Sequence, residues 1–170
     1  MSWSGDGRVL TMEELGGGAS YLTMDGKPAR HAMLESTWNK DTPRLSWDGR
    51  WLAYASAENG QLEITVQPFP ALDGKDLISS GGGTSPRWSR DGRHLFYWAP
   101  PGRIMMVAVT ATSTFEWSKP TLLFEGPFLS DYDVTADGTR FLMIKEAGQS
   151  RGTTDFNVIV NWFQELMFRK

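Results

Sequence analysis

Apolar and polar residues alternate along this chain in short bursts, and a turn pair recurs among them. Among the Asp-Gly pairs of the sequence, those at Asp6-Gly7, Asp48-Gly49, Asp91-Gly92 and Asp137-Gly138 stand at intervals of 42, 43 and 46 residues. The surroundings repeat with them. Three residues before the aspartate stand Trp3, Leu45, Trp88 and Val134, and two before it Ser4, Ser46, Ser89 and Thr135. Four after it stand Leu10, Leu52, Leu95 and Phe141, and six after it Met12, Tyr54, Tyr97 and Met143. Side chains alternate across a strand with period two, so the last two sets share a face. The four copies therefore predict one buried face in common. Between two strands Asp-Gly is a hairpin signal: aspartate accepts a backbone N–H two residues on, and glycine takes positive φ without a Cβ clash.

Third strands are predicted at Tyr21 to Met24, Leu62 to Phe69, Ile104 to Val109 and Asn157 to Trp162. Fourth strands follow at Ala29 to Met33, Asp76 to Ser80 and Pro120 to Glu125, and the last repeat lacks one. Its tail, Trp162 to Lys170, suits a short helix ending in basic residues. Four antiparallel strands in a repeat of this length make one propeller blade. The expected fold is all-β, a β-propeller of four four-stranded antiparallel blades near 1–40, 41–83, 84–128 and 129–170. Pro43 and Pro86 are expected where first strands begin, because proline cannot donate to a sheet. Trp88, Tyr54 and Tyr97 fall in phase with the repeat and are expected in the core.

Composition adds limits. The chain has 170 residues, 40% apolar and 22% charged, ordinary for a globular domain. Eight tryptophans and eighteen glycines suit short aromatic strands broken by turns. A net charge of -3 gives no broad electrostatic attraction to nucleic acid or anionic membrane, and neither is expected as a partner. No run approaches the roughly 18 apolar residues of a membrane helix. The N-terminus has no charged segment followed by an apolar one, as a secretory signal requires. The expected location is the cytoplasm for a complete chain, and outside it for a piece of a longer protein. With no cysteine and two histidines, neither a structural zinc site nor any cofactor is expected.

Two motifs resemble catalytic ones. Gly148-Gln149-Ser150-Arg151-Gly152 matches the nucleophile elbow, which needs a strand-to-helix turn and a histidine base. Here a strand is predicted to follow, so the segment reads as a hairpin loop. The triple glycines, Gly16 to Gly18 and Gly81 to Gly83, lack the lysine of a phosphate-binding loop and read as turns. Asp131 and Asp133 share one strand face and could act as an acid–base pair or hold a cation. No residue is assigned a catalytic role.

Pro43-Arg44-Leu45-Ser46-Trp47-Asp48-Gly49-Arg50 and Pro86-Arg87-Trp88-Ser89-Arg90-Asp91-Gly92-Arg93 resemble the TolB-type propeller repeat. Gln67-Pro68-Phe69-Pro70, Leu123-Phe124-Glu125-Gly126-Pro127 and Asn161-Trp162-Phe163-Gln164-Glu165-Leu166 are similar to the sensor-like C-terminal propellers of certain bacterial serine/threonine protein kinases. The kinase motifs themselves do not occur in this sequence. The resemblance implies a propeller that binds proteins or ligands and has no catalytic residues. First strands of a propeller line its central channel, which makes Arg44, Arg87, Asp131 and Asp133 the expected contacts. The occupant is expected to be a protein or peptide. The alternatives are a small ligand, or a hydrolase or lyase substrate met by the channel-mouth carboxylates. Four blades leave two end faces open unless the ring closes. The expectation is a homodimer of two half-rings making eight blades.

Overall fold

Strands of two to nine residues follow one another along this chain, and one turn recurs in every blade. The computed structural model describes residues 1–15, 18–34, 40–58, 60–111, 114–145 and 156–159. It is all-β, with four antiparallel sheets following one another along the chain. The first sheet holds β1 (Ser2–Trp3), β2 (Val9–Glu13), β3 (Ala19–Thr23) and β4 (Ala29–Leu34), in that order. The second holds β5 (Lys40–Leu45), β6 (Trp51–Ser56), β7 (Glu63–Pro68) and β8 (Asp76–Leu77). The third runs β9 (Thr84–Trp88), β10 (His94–Ala99) and β11 (Arg103–Ala111). Both β12 (Phe115–Trp117) and β13 (Thr121–Glu125) then pair with β11. The fourth holds β14 (Phe128–Val134), β15 (Phe141–Lys145) and β16 (Phe156–Ile159).

The turn between the first two strands is built alike in all four blades. Ser4 Oγ donates to Asp6 Oδ1 at 2.6 Å, Asp6 Oδ1 accepts the Arg8 N–H at 3.0 Å, and Ser4 Oγ accepts the Val9 N–H at 3.0 Å. Ser46 with Asp48, and Ser89 with Asp91, repeat the 2.6 Å bond. Thr135 donates to Asp137 in the same way. The glycine after each aspartate has φ near +70°, from 70° at Gly92 to 72° at Gly7. These bonds favour the ionised carboxylate. The Ser4, Ser89 and Thr135 hydroxyls hold Asp6, Asp91 and Asp137 below the usual carboxylate range, Asp137 at about 2. At Asp48 burial pushes upward, and the bonds from Ser46 and Arg50 outweigh it.

Packing follows the pleat. In β6, Leu52 and Tyr54 point toward blade one, into a cluster with Ala19 and Leu45. Their neighbours Trp51, Ala53 and Ala55 point toward blade three, against Leu95, Tyr97 and Val107. In β10 the alternation continues, with Phe96 meeting Phe141, Met143 and Tyr132 of blade four. Three buried clusters thus join blade one to two, two to three and three to four. Among the described residues none joins four to one.

The ends of the stack correct one expectation. The shared face points toward the preceding blade, and blade one has none. Leu10 and Met12 are therefore half-buried, whereas Leu52, Leu95, Phe141, Tyr54, Tyr97 and Met143 are buried. Trp3, paired with Leu10, is exposed. At the other end Leu142, between Phe141 and Met143, is 44% exposed.

Local chemistry makes further corrections. Pro43 and Pro86 lie inside β5 and β9 rather than at their starts. Each follows a residue of positive φ, Thr42 at 55° and Ser85 at 54°, beside a register shift. A bulge leaves ladder positions unpaired, so the missing N–H is tolerated there. The strand expected over Asp76 to Ser80 is only Asp76–Leu77, because Ser79 turns its hydroxyl inward onto the Ile64 N–H at 2.8 Å. The β12 strand was not anticipated, since three residues give no periodicity to read. At Gly81 and Gly82 successive N–H groups do cradle an anion, the chain's own Glu63 carboxylate, at 2.9 and 3.0 Å. The loop 148–152 and the tail 162–170 lie outside the described residues.

Candidate binding site at the channel mouth

The innermost strands β1, β5, β9 and β14 present one repeat position to a common space. Counting four residues back from each turn aspartate gives Ser2, Arg44, Arg87 and Asp133. All four line a cavity of about 590 Å³, and Asp131 joins them from two residues earlier in β14. Arg44, Arg87, Asp131 and Asp133, expected at the channel, thus share one wall. Asp131 and Asp133 are both exposed, with the buried Tyr132 between them.

The two arginines are held alike. Arg44 Nη1 donates to the Pro43 carbonyl at 3.1 Å, and Arg87 Nη1 to the Pro86 carbonyl at 3.0 Å. The Trp88 indole N–H donates to the Arg44 carbonyl at 3.1 Å, which ties β9 to β5 beside both guanidiniums. Burial, with the Arg87 charge adding to it, lowers the Arg44 pKa to about 10. Arg87 Nε lies 3.7 Å from Asp133 Oδ1, and the Arg87 guanidinium sits 5.4 Å over the Tyr132 ring. Burial pushes the Tyr132 hydroxyl upward, although Arg87 and Arg44 pull the other way. That hydroxyl is buried without a hydrogen-bond partner.

Aromatic residues line the rest. Trp88 was expected in the core. It is half-buried: it packs against the core between blades two and three, with its ring edge-on to Phe115 at 6.3 Å, and also lines the cavity. Trp47 is 45% exposed, with the Arg90 guanidinium 4.4 Å over its ring. The repeat gave no signal for Trp47 or Arg90, which occupy a position held by glycine in blade one and alanine in blade four. No group of three or more metal-ligating side chains gathers among the described residues. No helix among them is long and apolar enough to cross a membrane.

No protein-family model and no curated protein sequence matches the chain. Solved structures do, as folds. TolB from Acinetobacter baumannii superposes with a TM-score of 0.62 at 17% identity, over 94% of this chain and 42% of that one. The Cps50 (Swd1) β-propeller domain of Myceliophteria thermophila gives 0.60 at 12% identity, over 91% and 52%. Oligogalacturonate lyase from Vibrio parahaemolyticus gives 0.52 at 13% identity, over 80% and 35%. The chain spans about half or less of the length of each. The fold is therefore that of a β-propeller, shared with proteins that include an enzyme.

Proposed function

We propose that this chain is a non-enzymatic binding module that receives a protein or peptide segment at the channel mouth. The observation that carries this reading is the wall itself. One repeat position sets Arg44, Arg87 and Asp133 around a cavity that Trp47 and Trp88 also line. Tryptophan and arginine are the side chains that dominate binding energy at protein interfaces. The likeness of Gln67 to Pro70 and Leu123 to Pro127 to sensor-like kinase propellers supports a recognition role. In the same reading two copies associate, with the Leu142 face of one meeting the Leu10 and Met12 face of the other. The contact occurs twice and closes eight blades.

A second reading is a small-ligand sensor, favoured by the cavity volume, which lies in the range of small-molecule sites. Selection of peptides from a displayed library on the purified chain separates the two. Peptides whose binding is lost in Arg44→Gln and Arg87→Gln support the first reading. Small organic molecules binding there, with no such peptide, support the second. Turnover of a substrate lost on replacing Asp131 or Asp133 overturns both.

A further inference from the structure

We infer that the basic wall of the cavity is a carboxylate site, in which Arg44 and Arg87 together hold the carboxylate of a ligand whose apolar body lies against Trp88. This rests on the channel mouth being a binding surface and adds the chemical class of what enters it.

Two guanidiniums share one half-buried wall, each pinned on one side by its own proline carbonyl. That bond fixes the fork and leaves most of its N–H donors uncommitted. The Asp133 and Glu13 carboxylates favour the Arg44 charge, but burial and the Arg87 charge outweigh them. Arg87 has Asp133 at 3.7 Å, but that side chain is 75% exposed against 15% for Arg87. An exposed acid on a buried cation makes a weak pair. Asp133 is thus a displaceable stand-in for the ligand's own acid. Adjacent cations repel one another, and an anion set between them relieves that repulsion in both. Tyr132, in the same wall beneath Arg87, adds a buried hydroxyl with no partner.

The charge balance selects the anion. Asp131 and Asp133 at the lip disfavour a multiply charged group such as phosphate. A planar single carboxylate matches the guanidinium fork. Trp88 supplies an apolar surface beside it, and its indole N–H is already engaged by the Arg44 carbonyl. The carboxylate can belong to a free organic acid or to an acidic residue of a peptide.

The test is heteronuclear NMR of the whole chain, following the Trp88 indole resonance. The additions are benzoate, neutral benzamide, inorganic phosphate, and a blocked peptide carrying one glutamate beside its glutamine counterpart. Benzoate or the glutamate peptide should saturate the shift, while benzamide, phosphate and the glutamine peptide should not. Whichever saturates identifies the source of the carboxylate. Arg44→Gln and Arg87→Gln should each weaken binding by about tenfold, the loss of one charge-assisted hydrogen bond. Arg93→Gln, outside the cavity, should not. Asp133→Asn should tighten binding by up to about fivefold, the upper worth of an exposed ion pair. Arg44→Lys and Arg87→Lys, which keep the charge and lose the fork, should fall between and guard against a folding defect. Equal binding of benzamide, indifference to both arginines in folded variants, or loss of binding in Asp133→Asn overturns the inference. Peptides that bind without regard to the arginines overturn it too, and leave the binding-module reading standing.

Discussion

The Trp88 indole N–H reaches from blade three to the Arg44 carbonyl of blade two, 3.1 Å away. It is a side-chain bond between innermost strands that carry the two arginines of the cavity wall. Trp88→Phe keeps an aromatic ring and removes the donor. The expected loss is about 1 kcal/mol by denaturant unfolding, the net worth of one hydrogen bond. Trp88→Ala, which also empties the half-buried ring site, should cost about 3 kcal/mol, the low end for a buried tryptophan. Equal melting of all three forms would show that the ring is not packed.

The repeated turn predicts acid sensitivity. Asp6, Asp48, Asp91 and Asp137 lie below the usual carboxylate range in the folded chain. A pKa depressed by folding contributes stability above the unfolded value, about pH 4, which is lost as pH falls through the folded value. Asp76, raised by burial, has the opposite sign and acts above about pH 4, where falling pH relieves a small penalty. The melting temperature should hold above about pH 4 and fall toward pH 2, more shallowly in Asp137→Asn. Ser89→Ala removes the hydroxyl that bonds Asp91 and the His94 N–H, and should cost about 1–2 kcal/mol at neutral pH.

The glycine pair over Glu63 predicts a contrast between neighbours. Gly81 has φ +87° with nothing within 4 Å of an added Cβ, whereas Gly82 has φ +101° and would meet Gln61 Nε2 at 2.7 Å and Pro100 Cδ at 2.9 Å. Gly81→Ala should cost about 1 kcal/mol of backbone strain. Gly82→Ala should cost about 2–3 kcal/mol, because the neighbours must also move. Equal losses would mean that Pro100 yields.

The half-ring reading predicts a mass near twice 19.0 kDa in light scattering. Leu142→Glu places a charge on the open face of blade four without touching the core face of β15. It should return the mass to a single chain with little change in the monomer's far-ultraviolet dichroism. A single-chain mass for the parent protein would leave the end faces for other occupants.

The turns were legible because they are local: Ser, Asp and Gly at fixed offsets carry their own hydrogen bonds. The blade order and most strands followed from that register. Burial was less legible, because it depends on whether a neighbouring blade exists. Leu10 and Leu52 occupy the same repeat position, and only Leu52 has a blade on that side. The bulges at Thr42 and Ser85 escaped notice because they are set by how β5 and β9 bend, and no turn pair marks them. Among the candidate residues, Arg44 and Arg87 were visible as a repeated Pro-Arg pair. Tyr132 was hidden between two aspartates that drew attention first.

The pleat of β6 has a consequence for how damage spreads. Tyr54 and Ala55 are joined by a peptide bond, yet they belong to separate clusters, one shared with blade one and the other with blade three. In double-mutant cycles Tyr54 should show coupling energy with Leu45, and Ala55 with Val107, while Tyr54 and Val107 should be nearly additive. Sequence neighbours in the inner blades are thus energetic strangers, and a substitution there weakens the stack in one direction only.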